Sequence, residues 1–97
     1  METYTVYALQ SAVDGRIYAG FTSDIEKRLV QHNSGKTKST KGFIPWKVIY
    51  TIQVEGRENA RAKEVYLKSG VGKEFLKSLV PKSQWIEYLS AGKFPKF

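Results

Sequence analysis

From Trp46 to Val54 the chain alternates, with Trp46, Val48, Tyr50, Ile52 and Val54 set against Lys47, Ile49, Thr51 and Gln53. A period of two marks a strand with one face on a core, so this chain must build a sheet and supply something to cover it. Pro45 opens the run and Gly56 closes it. A second β-prone stretch, Thr3 to Leu9, places Tyr4, Val6 and Ala8 on one face and Thr5, Tyr7 and Leu9 on the other. Asp14-Gly15 then tolerates the positive φ of a reversal, and Arg16 to Phe21 resumes the extended pattern as the return strand of a hairpin. Tyr7 and Tyr18 are both available to one face or edge of that pair.

The covering elements read as helices. Thr22-Ser23-Asp24 offers capping side chains, Ser23 with Glu26 fits a capping box, and the helix runs from Ile25 to His32 before Gly35 stops it. At about 100° per residue, Ile25, Arg28, Leu29 and His32 share an arc of roughly 100°, so Arg28 and His32 border the buried stripe. Lys36 to Lys41 is a polar, basic loop. Arg57 to Lys68 is rich in helix formers, Gly70 and Gly72 interrupt it, and Lys73 to Val80 reads as another helix ending at Pro81. Gln84 to Ala91 reads as a last short helix. The fold class expected is α/β, a small three-stranded, mainly antiparallel sheet covered by helices. At 97 residues there is chain for one domain, residues 1–97.

Composition narrows the function. With no cysteine and one histidine, neither a thiolate zinc site nor a polyhistidine site is available, so a metal must be held mostly by oxygen. Sixteen Lys and Arg against nine Asp and Glu give +7, a balance that favours polyanions: nucleic acid first, an anionic membrane surface second, with solubility alone as the plain alternative. There is no apolar run of transmembrane length, and Met1-Glu2-Thr3-Tyr4 lacks the order of a signal peptide, so the expected location is the reducing cytoplasm. Lys36, Lys38, Lys41 and Lys47 offer phosphate contacts without base reading. Trp46, the first inward residue of its strand, fits a core position better than a base-stacking platform.

Thr5-Val6-Tyr7, then Tyr18-Ala19-Gly20 after a gap of ten residues, then Arg28 and His32 on one helix and Glu64 on a later one, resembles the motif order of the GIY-YIG nuclease family. Tyr7, Tyr18, Gly20, Arg28, His32 and Glu64 match its motif positions, and Gly35 and Thr40 fall where many members carry Gly and Thr. The resemblance spans roughly Tyr4 to Val80. It is nearest to small stand-alone bacterial members related to the excision-repair nuclease module, which often carry a stretch like Tyr66 to Gly70. Three tripeptide positions depart from the family pattern, Thr5-Val6 for Gly-Ile and Ala19 for Ile. No Asn follows Asn59, whereas many active members have one after the glutamate.

The resemblance implies a metal-dependent endonuclease acting on DNA, branched or damaged DNA included, with RNA as a further candidate substrate, a link to DNA repair and a targeting protein partner. Glu64 would hold one Mg²⁺ or Mn²⁺, and one carboxylate implies one metal. Ala60 and Leu67 share its helix face; the plain reading of Glu64 is an i,i+4 pair with Lys68. Arg28, a fork of donors that is always charged, is the transition-state stabiliser. By the same resemblance one of the two tyrosines, Tyr7 before Tyr18, would be the general base and the other would position water or phosphate, while His32 would orient Tyr7 or relay a proton. Gly20 permits a close backbone approach or marks a bend. The missing asparagine motivates a second reading, a nucleic-acid-binding module without catalysis, and a protein-interaction domain is a third.

Overall fold

A computed structural model describes residues 2–79. The strands are β1 (Thr3–Ser11), β2 (Ile17–Thr22) and β3 (Trp46–Glu55), and the helices α1 (Ile25–Asn33), α2 (Arg57–Lys68) and α3 (Gly70–Ser78), with a single 3₁₀ turn at Lys41–Phe43. The sheet order is β2-β1-β3, and both pairings are antiparallel, as the sequence led us to expect. The helix read over Gln84 to Ala91 lies outside the described residues. Among those described, no helix is long and apolar enough to cross a membrane.

As the central strand, β1 is covered on both faces, and every residue from Thr5 to Ser11 is buried. One face carries Val6 and Ala8, packed with Ile17 and Ala19 of β2 and with Ala60, Leu67 and Leu76 from α2 and α3. The other carries Tyr7 and Leu9, packed with Trp46 and covered by Ile25 and Leu29 of α1 and by Phe43 and Ile44. Burying each large apolar side chain contributes about 1.5–3 kcal/mol, so both layers of helix hold the sheet in place.

Three sequence readings are corrected. Asp24, not Ser23, caps α1: its Oδ1 accepts the Lys27 N–H at 3.1 Å, because Asp24 is the residue that takes extended backbone immediately before the first helical residue. The glycines after α2 do not delay the next helix. Ser69 caps α3 by accepting the Gly72 N–H at 3.2 Å, so the helix starts at Gly70. A Cβ on Gly72 would strike the Tyr66 carbonyl oxygen and come within 2.6 Å of Leu67 Cα, so only glycine lets α3 fold back this closely on α2.

The third correction concerns β3. Leu9 pairs with Val48 and Ala8 with Tyr50, which leaves Ile49 as the extra residue of a β-bulge. The bulge turns the alternation over. Trp46 and Val48 pack on the α1 side, whereas Ile49, Tyr50, Ile52 and Val54 pack on the α2 and α3 side. The even-numbered residues thus serve two cores instead of one.

Candidate active site

The hairpin register decides which side chains meet. Tyr7 pairs with Gly20 and Leu9 with Tyr18, so Tyr7 and Tyr18 lie on one face as diagonal neighbours. The Tyr7 ring crosses over Gly20. A Cβ there would lie 2.8 Å from the Tyr7 hydroxyl oxygen and 3.0 Å from Cζ, so the close approach expected at this glycine is made by the protein's own phenol. Ser11 fastens the hairpin end from inside: its hydroxyl donates to the Phe43 carbonyl at 2.7 Å and accepts the Val13 N–H at 3.0 Å.

Below the phenol, α1 presents His32, which is fully buried. Tyr7 Oη is 3.1 Å from His32 Nε2, and His32 Nδ1 is 2.8 Å from Thr40 Oγ1. The Thr40 hydroxyl donates to the Thr37 carbonyl at 3.4 Å. With its proton engaged there, Thr40 accepts from Nδ1–H, which leaves Nε2 bare to accept from the Tyr7 hydroxyl. The charge states agree with this direction. Burial, aided by the Arg28 charge, holds the His32 imidazole below its usual pKa and therefore neutral. Burial also pushes the Tyr7 phenol up, opposed by its hydrogen-bonding interaction with Arg28, so Tyr7 keeps its proton at neutral pH.

Arg28, one turn before His32, is half-buried, and its guanidinium interacts with both phenols, Tyr7 the more strongly. The Tyr7 interaction is the largest influence on Arg28 and holds its charge more firmly. Its Nη1 donates to Gln31 Oε1 at 3.1 Å, which fixes the fork from behind. Tyr18 packs edge-on against His32 with ring centroids 5.2 Å apart.

Glu64 comes from α2, on the far side of the sheet, with Ala60 and Leu67 buried on its own helix face. Its side chain is 15% exposed, against 70% for Arg61 and 49% for Lys68. Nitrogens of those two residues lie 3.7 Å from Oε1 and Oε2 respectively, so the i,i+4 pair expected from the sequence exists as a loose ion pair. At that distance neither cation forms a hydrogen bond, and the carboxylate retains lone pairs. Its charge is felt at Tyr7, where it raises the phenol pKa. Tyr7, His32 and Tyr18 thus meet by contact and Arg28 interacts with both phenols, whereas Glu64, on the opposite helix layer, is linked to them only through its charge at Tyr7.

Lys36, Lys38 and Lys41 are exposed around the loop after α1, and Lys47 is exposed at the start of β3. Trp46 is buried, and its indole N–H donates to the Thr40 carbonyl at 2.9 Å, so it supports the loop that carries Thr40. Asn33 holds Trp46 in turn: its Oδ1 accepts the Trp46 N–H, and its Nδ2 donates to the Trp46 carbonyl at 3.2 Å. Thr40, Trp46 and Asn33 therefore set the histidine from behind. The only sequence signal for this arrangement was the family position of Thr40.

Among the described residues no group of three His, Cys, Asp or Glu forms a metal cage. The donor set fits a hard cation that keeps most of its water, since Glu64 offers oxygen only.

The family model described as the GIY-YIG catalytic domain matches residues 3–76, a span that takes in the hairpin tyrosines, Arg28, His32 and Glu64. The chain belongs to the GIY-YIG family. Within the family it is similar to a "UPF0213 protein" of Lactococcus lactis subsp. cremoris (strain SK11), 35% identical over 96 residues and covering 94% of this chain and 97% of that one. It is 36% identical to "UPF0213 protein YsiG" of Lactococcus lactis subsp. lactis (strain IL1403), over 92% of this chain and 89% of that one. A solution NMR structure of a UPF0213 protein from Bacillus halodurans is 36% identical and covers 79% of this chain and 84% of that one, with a TM-score of 0.49.

Proposed function

We propose that this chain is a divalent-metal-dependent endonuclease that hydrolyses DNA phosphodiester bonds with low sequence specificity of its own. The observation that carries the reading is the buried bond from Tyr7 to a neutral His32, with the Arg28 guanidinium against the same phenol. Hydrolysis needs a proton acceptor for water, positive charge at the phosphoryl oxygens and a stabilised leaving oxygen.

Tyr7 meets the first need without becoming a free phenolate. Its oxygen takes a proton from the attacking water as its own proton passes to His32 Nε2, and the imidazolium keeps its Nδ1–H on Thr40. Arg28 donates to the phosphoryl oxygens, where charge builds up in the transition state. Tyr18 borders the same space and positions the phosphate. Glu64 would hold Mg²⁺ or Mn²⁺, which when bound would supply further neutralisation of charge on the phosphate and the leaving oxygen. Lys36, Lys38, Lys41 and Lys47 grip phosphates without reading bases, so a partner protein would supply targeting.

The test is nicking of supercoiled plasmid in Mg²⁺ or Mn²⁺, with EDTA as control. We expect wild type to nick and Glu64→Gln and Tyr7→Phe to fall at least a hundredfold. Nicking by Glu64→Gln at the wild-type rate sinks the proposal. The absence of an asparagine after Asn59 favours one other reading, a nucleic-acid-binding module without catalysis. That reading calls for salt-sensitive binding that is independent of metal and unchanged by Glu64→Ala.

A further inference from the structure

β2 is an outer strand of the sheet, and two cavities open along it on either side of the Tyr7–Gly20 crossing. The first, about 340 Å³, is walled by Ile17, Tyr18 and Ala19 of β2, by Lys68 at the end of α2 and by Lys73 in α3. The second, about 500 Å³, lies between Phe21 and Thr22 of β2 and Lys27, Arg28 and Gln31 of α1. The first opens against α2 and α3 and the second against α1, and along β2 their walls fall on either side of Gly20, the residue paired with Tyr7. Each shares a wall with the catalytic cluster, Tyr18 in the first and Arg28 in the second.

The walls differ in a way that suits different parts of one molecule. The first cavity is mostly apolar and aromatic, with two amines at its α2–α3 side; the second is lined by hydroxyl, amide and charged groups. An apolar slot with an aromatic wall and adjacent ammonium groups is the chemistry that holds a base and its phosphate. Both volumes suit a group of nucleotide size.

We propose that the cavity walled by Ile17, Tyr18, Ala19, Lys68 and Lys73 is a nucleotide subsite, which takes the nucleotide next to the reacting phosphate out of base pairing. Lys68 and Lys73 bind its phosphate and the apolar wall takes its base. Resting on the nuclease reading, the inference narrows the substrate class to nucleic acid that is single-stranded, or readily unpaired, at the point of cleavage. Duplex DNA must first give up stacking to enter the cavity, and that cost sets the preference.

The experiment uses the whole chain, ¹⁵N-labelled and kept in EDTA so that catalysis is not involved. Thymidine 5′-monophosphate should shift the Ile17, Ala19 and Lys73 amides saturably, with thymidine and inorganic phosphate each at least fivefold weaker. Lys68→Gln with Lys73→Gln should weaken the monophosphate at least tenfold without moving the thermal midpoint. In fluorescence anisotropy, a single-stranded 12-mer should bind at least tenfold tighter than its duplex, and the double variant should remove most of that difference. Shifts confined to the loop around Lys36 to Lys41, unchanged affinity in the double variant, or equal binding of strand and duplex would each overturn the subsite. Plasmid nicking is read separately: wild type that fills the cavity but never nicks leaves the subsite standing and removes the nuclease reading.

Discussion

Gly20 and His32 carry the most information per atom in this molecule. Adding one methyl at Gly20 places it on the Tyr7 phenol, which cannot swing aside without giving up His32. Gly20→Ala should therefore cost about 1–3 kcal/mol of stability by overpacking and cut plasmid nicking at least tenfold, measured by urea denaturation and by nicking. The buried imidazole sets a pH dependence whose sign follows from its lowered pKa. Above the unfolded value of about 6.5 both states are neutral at this position. As pH falls below that value the unfolded chain takes up a proton that the folded chain refuses, so stability declines by up to about 1.4 kcal/mol per pH unit until the folded pKa is reached. Urea midpoints between pH 7.5 and 5.5 should show this slope in wild type and lose it in His32→Gln; parallel slopes would refute it. The candidate residues were legible in the sequence because motif spacing survives without knowledge of contacts. Thr40 was not, since nothing in the distance from His32 announces that its hydroxyl fixes the ring tautomer.

Elements were easier to read than their joints. The three strands and the helix at Ile25 were visible from their residue pattern, and the helix at Arg57 from its helix-forming residues. The bulge at Ile49 was hidden by its own pattern: the alternation runs on unbroken while the face it points to changes, and only the pairing partner reveals the switch. Likewise Gly70 and Gly72 read as breakers when only propensity is counted, whereas the Ser69 cap and the close α2 contact make them the start of a helix. That contact is testable. Gly72→Ala should lower stability by about 1–3 kcal/mol in urea denaturation, while Gly70→Ala, with nothing within 4 Å of the added Cβ, should be neutral or slightly stabilising.

At the scale of the whole molecule, the proposed phosphate contacts are surface charges and the proposed chemistry is buried. Lys36, Lys38 and Lys41 are exposed, whereas Thr40 of the same loop is buried against His32, so the loop's charges can be changed without touching the buried bond. Replacing Lys36, Lys38 and Lys41 together by Gln should flatten the slope of log affinity against log salt by about 2.7 for duplex DNA, read by anisotropy, and leave the His32 pKa where it is. Tyr7, meanwhile, shares its strand with Val6 and Ala8, the residues that close the opposite core. A reactive group seated mid-sheet has no private loop through which to loosen: its amide should exchange with solvent only on global opening, and on heating, loss of nicking should track loss of fold along one curve.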